Sequence, residues 1–232
     1  MKNIFSYNVD TRKNAYVNWR MDRGENQLKN KIKNMITIAD GYMKSSLILA
    51  RHALEDNIDK KADILIFPIL CSANHAIELY LKSTVWTLNI LLKNDEVFPK
   101  THNIRQLLSI VKSRVNEYEH DRKKKNQFKE MIKNLDIYIE ELFSKIEKGN
   151  YNTKKDNMDF SRYPFDSKLV PHFYIETFNN VVVDLENFIN RFEEIEYNLS
   201  IIAEHYFYDH LLHKNDLNLM MLNKNTNDNK IF

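Results

Sequence analysis

Three glycines and four prolines in 232 residues leave this chain few places to reverse direction sharply. β-Hairpins need residues that accept positive φ in their tight turns, and a sheet of any size needs many such turns. A chain this poor in them must run far between reversals, and long helices satisfy that condition. The apolar spacing agrees. Leu28, Ile32, Met35, Ala39, Met43, Leu47, Ala50 and Leu54 recur every three or four residues, the period of an amphipathic helix over about 27–56.

A second apolar stretch begins near Asp63, read as an N-cap, and continues to about Leu92, with Pro68 just inside its first turns, where proline costs little or bends the axis. Thr101 or Asn103 can cap a third helix whose core face is Ile104, Leu107, Leu108, Val111 and Val115. The charged segment 116–126 then interrupts the pattern. A fourth helix carries Phe128, Met131, Leu135, Ile139, Leu142 and Ile146 and stops at Gly149, a suitable C-terminal residue. Pro171 is read as opening a further helix through Ile175, Phe178, Val182, Leu185, Ile189 and Phe192, and another follows over about 200–214. Outside these lie an irregular N-terminal arm (1–26), a long loop (150–170) and a frayed C-terminal tail (215–232). The expected fold class is all-α, an antiparallel bundle of five or six helices within 27–214.

A net charge of +2 implies no global electrostatic partner, so only local patches could bind nucleic acid. Cys71 is the sole cysteine and cannot form an internal disulfide; inside an apolar run it reads as a small buried hydrophobe. The start of the chain, MKNIFSYNVDTRKN, lacks the apolar run of a secretory signal. The longest apolar run, Ile64 to Ala73, is too short to span a bilayer and contains Pro68. The expectation is a soluble cytoplasmic protein with no membrane association.

One stretch breaks the apolar pattern in an orderly way. In ANHAIELYLKS (73–83), His75, Glu78 and Lys82 stand at i, i+3 and i+7, which on a helix places them within roughly 60° of one another. Such a stripe is either the wet edge of the helix or a buried polar site. Glu78 and Lys82 also form an i,i+4 pair in the favourable order.

Two later strings accompany it: THNIRQLL (101–108) and RYPFD (162–166). HAIELYLK, the Thr-His pair and Arg-Tyr-Pro, in that order, resemble the motifs of the HEPN superfamily, small helical bundles of prokaryotic toxin–antitoxin, antiviral and nucleotidyltransferase-linked systems. The resemblance covers roughly residues 30–200. It implies that His75, Glu78 and Lys82 face a groove that also receives His102, Arg162 and Tyr163. Arg162 would supply a bidentate fork for phosphate and Lys82 a point charge. The alternative is that these groups satisfy one another and staple two helices and a loop together.

Many HEPN proteins are metal-independent ribonucleases marked by an arginine and a histidine with four to six residues between them, paired across a dimer cleft. Arg114-Val115-Asn116-Glu117-Tyr118-Glu119-His120 matches that spacing, although the residue after the arginine is apolar. His120 would move the 2′-hydroxyl proton and Arg114 would stabilise the pentacoordinate phosphorus. The same residues also fit a solvated helix end. Arg122, Lys123, Lys124 and Lys125 form an adjoining basic edge that could follow an RNA backbone or simply be a solvated face.

His205, Asp209 and His213 share one face of an α-helix, with His210 beside them, a spacing that can hold zinc or iron. No clear fourth ligand is legible, so the expectation is no metal and no cofactor. There is no phosphate loop, nucleophile elbow or cysteine pair. The sequence thus leads to a HEPN-like defence or toxin–antitoxin protein, a homodimer that binds RNA or nucleotides. A cognate antitoxin or nucleotidyltransferase would be its partner. The alternative is a non-catalytic HEPN-type module that binds a protein.

Overall fold

The computed structural model describes residues 3–24, 27–94, 97–149, 158–166, 168–175 and 179–213. Six α-helices carry the fold: α1 (Gln27–Glu55), α2 (Ala62–Leu91), α3 (Ile104–Tyr118), α4 (Arg122–Met131), α5 (Lys133–Gly149) and α6 (Leu185–Glu204). The last continues directly into a π-helical segment, His205–Leu212. Among the described residues the only β-pairing is an isolated bridge between Phe165 and Pro171. The fold class is all-α.

Cross-helix contacts fix the direction of the first pair. Ser46 donates to the carbonyl of Ile69, Tyr42 meets His75 edge to face, and the Tyr80 hydroxyl donates to Asp40. Position on α2 falls as position on α1 rises, so the two helices are antiparallel. α2 also packs against α3, α6 and the π-helical segment, which makes it the central helix. Its length and apolarity would suffice to cross a membrane. From Ala73 to Leu91, however, it is buried almost continuously by its neighbours, the environment of a core helix in a bundle.

Several boundaries differ from the sequence reading. Asp63 lies inside the first turn of α2, and the first-turn amide of Ala62 donates instead to the Asn57 side chain at 3.0 Å. The charged segment 116–126 is helical at both ends, because α3 runs to Tyr118 and Asp121 caps α4 by accepting from the Lys123 amide. The expected fourth helix is two, with a break at Ile132.

The largest correction concerns Pro171. Residues 171–175 form the bridge and a turn, 179–184 are irregular, and α6 starts only at Leu185. Phe178 lies outside the described residues. The tract Asn179-Asn180-Val181-Val182-Val183 is poor in helix formers, and of its valines only Val183 packs against the core while Val182 is 80% exposed, so little burial rewards a helix there. Asp184 then caps α6, its carboxylate accepting from the Asn187 amide at 3.1 Å. The expected separate helix at 200–214 is the end of α6 and its π-helical continuation. The tail from 215 onward lies outside the described residues. Over its described residues, 3–24, the N-terminal arm is irregular apart from a 3₁₀ turn at Thr11–Lys13, and Asp22 ties it to α1 through Asn34 and Lys33.

Candidate functional site

The stripe on α2 is a buried ion cluster. Glu78 and Lys82 are 8% and 7% exposed, and Lys82 Nζ donates to Glu78 Oε1 at 2.7 Å. Asn103 caps α3 through the Gln106 amide, which sets the preceding residue, His102, at the edge of α2. Its Nδ1 lies 2.9 Å from the same Glu78 oxygen, while His75 Nδ1 stands 3.9 Å from the other. Phe98 covers Lys82, with Nζ 5.5 Å from the ring centre. One carboxylate thus gathers an ammonium from its own helix and two imidazoles that reach solvent.

Burial alone would raise the pKa of Glu78. His75, then Lys82 by hydrogen bond and charge, and then the charge of His102 overcome it and hold the carboxyl at about 2. With both imidazoles protonated the cluster carries surplus positive charge at its outer edge, suited to an anion. With both neutral it is a closed internal pair.

The other residues of the expected groove stand apart from this cluster in their bonding. Arg162 is exposed, pairs with Asp159 at 3.1 Å and lies over the ring of Tyr163. Tyr163 is itself exposed, and its carbonyl accepts from the Tyr174 hydroxyl. The Arg-Tyr-Pro segment follows a 3₁₀ turn, Met158–Ser161, anchored by buried Phe160. It ends in the Phe165–Pro171 bridge, so its first bonding duty is to its own loop.

Arg114 and His120 are differently placed. The Arg114 guanidinium is half-buried, donating to Asn89 of α2 at 2.8 Å and to Glu117 at 3.2 Å. His120 is exposed on the short link between α3 and α4. Within the basic run, Lys125 donates to the Asn116 carbonyl at the C-terminal end of α3, where a cation is favoured. Lys124 stands 3.9 Å from buried Glu119, and Arg122 and Lys123 are exposed. Half of the run therefore closes the α3–α4 corner.

A second polar cluster joins that corner to the end of α6. Tyr118 and His210 share a hydrogen bond at 2.8 Å, His210 Nε2 faces His205 Nε2 at 3.1 Å, and His205 Nδ1 meets Asp209 at 2.8 Å. Glu119, 6% exposed, lies beside both imidazoles. Burial, then the neighbouring His205, lowers the pKa of His210. Reading the segment as an α-helix grouped His205 with Asp209 and His213, set His210 beside that face, and missed Glu119. In an α-helix residues five apart point about 140° away from each other. The π-helical i→i+5 bonding brings them onto one side.

Fold and site together define an all-α bundle whose central helix carries a buried carboxylate bracketed by one lysine and two histidines. Comparison of the chain with protein-family models, curated proteins and solved structures finds no match.

Proposed function

We propose that this chain is a HEPN-like prokaryotic defence or toxin–antitoxin protein, cytoplasmic and homodimeric, that binds RNA or nucleotide phosphate at the Glu78 cluster and acts as a metal-independent endoribonuclease. The observation that supports the reading is the meeting of two of its three motifs at one atom. HAIELYLK brings Lys82, and the Thr-His pair brings His102, to the same oxygen of Glu78. A carboxylate on Nδ1 of His102 orients that ring and leaves its Nε2 available for a phosphate or a proton. In the proposed reaction the 2′-oxygen attacks the adjacent phosphorus as a base takes its proton. The 5′-oxygen of the next nucleotide leaves with a proton from an acid, and a 2′,3′-cyclic phosphate remains. His120 is the proposed proton carrier and Arg114 the proposed phosphorane partner, with a cognate antitoxin or nucleotidyltransferase as the partner protein.

One observation favours a second reading, a non-catalytic module that binds a protein: the Arg114 guanidinium is already engaged by Asn89 and Glu117. Purified protein incubated with labelled single-stranded RNA and a chelator separates the two. Cleavage leaving cyclic ends is expected, with His120→Ala slower by about 2–4 orders of magnitude and His102→Ala weakened in binding. A wild type that neither binds nor cleaves RNA overturns the proposal in favour of the interaction module.

A further inference from the structure

We propose that Glu119, His205 and His210 form a binding site for a divalent first-row transition metal of the zinc class. The inference does not rest on the ribonuclease reading. The ligating atoms of the three residues lie within 4.8 Å of one another. Two nitrogens each about 2.05 Å from a tetrahedral ion stand roughly 3.3 Å apart, and the two Nε2 atoms are 3.1 Å apart before any adjustment. The carboxylate closes on the same point by side-chain rotation.

The outer partners match what such a site requires. Metal-bound imidazoles hold their other nitrogen in a hydrogen bond, most often to a carboxylate, which fixes the tautomer and turns the lone pair inward. Asp209 does this for His205, and the Tyr118 hydroxyl can accept from His210 Nδ1–H once the metal displaces the proton shared by the two Nε2 atoms. The donors come from two parts of the chain, the α3–α4 link and the π-helical segment. Rare π-turns recur at functional sites, and here the wide turn is what brings the two imidazoles together, edge to face, with their Nε2 atoms opposed. Two imidazoles and one carboxylate suit zinc or ferrous iron and leave a coordination position for water or a substrate. Lys124, 3.9 Å from Glu119 and half-exposed, is the competing cation and must swing outward as the metal enters.

A chain of hydrogen bonds from Tyr118 through His210 and His205 to Asp209 satisfies the same atoms without an ion, so the test must separate the two. The full chain, stripped with chelator and dialysed, is titrated with Zn²⁺ by calorimetry and with Co²⁺ by visible absorption. One ion per chain and cobalt d–d bands are expected. His205→Asn, His210→Asn and Glu119→Gln should each weaken binding by more than about 100-fold, and Asp209→Asn by about 10–100-fold. Exposed His52 lies outside the cluster, and His52→Ala should bind as the wild type does. Circular dichroism checks folding; because Asp209 is largely exposed, its variant remains informative should a buried substitution unfold the chain. The absence of saturable wild-type binding in the micromolar range, or Asp209 and histidine variants that bind as tightly as wild type, would overturn the proposal.

Discussion

Replacing Glu78 by glutamine removes one charge from the centre of the bundle and leaves the Lys82 ammonium buried beside an amide. The cost can be worked in two ways. Displacement of the Glu78 pKa from 4.5 to about 2 corresponds to about 3 kcal/mol of preference for the charged carboxylate in the folded state. Removing one member of a buried pair typically costs about 3–5 kcal/mol, because the remaining charge is left uncompensated. Both routes lead to a loss of about 3 kcal/mol at neutral pH. The pH dependence carries the sign. Since the folded-state pKa is depressed, this contribution is present in full above 4.5 and is lost as pH falls toward about 2.

Urea unfolding followed by Trp86 fluorescence and far-ultraviolet circular dichroism, at a series of pH values from neutral to acid, measures both quantities. Trp86 is suited to it because it is buried against Phe98, the ring that covers Lys82. Other carboxylates titrate in both proteins, so the difference between wild type and Glu78→Gln isolates this one. The difference should be about 3 kcal/mol at neutral pH and should shrink through the acid range. Adding Lys82→Met to Glu78→Gln should restore part of the loss, since no buried charge then remains. A Glu78→Gln cost below about 1 kcal/mol, the value of an exposed pair, or a difference constant with pH, would refute the reasoning.

Asp184→Ala, which removes the α6 cap, should cost about 1 kcal/mol, read as a lower urea midpoint with an unchanged slope. Tyr80 is fully buried and its hydroxyl donates to Asp40; Tyr80→Phe should destabilise by about 1–2 kcal/mol, measured by thermal melting. The proposed homodimer should scatter light as twice the chain mass of 27.8 kDa, and a monomer at high micromolar concentration would count against it.

Glycine and proline scarcity and the three-to-four spacing were enough, by themselves, to determine an all-α chain and to locate α1, α2 and α3 within a few residues. Both are local signals: turn chemistry and helical period are written in consecutive residues. The stripe of His75, Glu78 and Lys82 was legible for the same reason; only the motif resemblance brought His102 to it, and the folded chain sets its Nδ1 2.9 Å from Glu78. What lay beyond the sequence was set by packing. Pro171 and the valines after it keep a helical period, yet His172, Phe173, Tyr174 and Val183 pack from a turn and extended chain while Val181 and Val182 stay exposed, so the backbone is irregular until Asp184. Arg162 matches the expected motif, but its loop gives it Asp159 as a partner. The Glu119, His205 and His210 cluster was hidden most completely. Its members are 86 and five residues apart along the chain, and α-helical periodicity sends the two histidines to different faces. Only a π-helical turn, held by the burial of Tyr206, Phe207 and Leu211 in the core, brings their nitrogens together. Backbone geometry of that kind is chosen by the tertiary contacts it permits, and no local spacing rule records it.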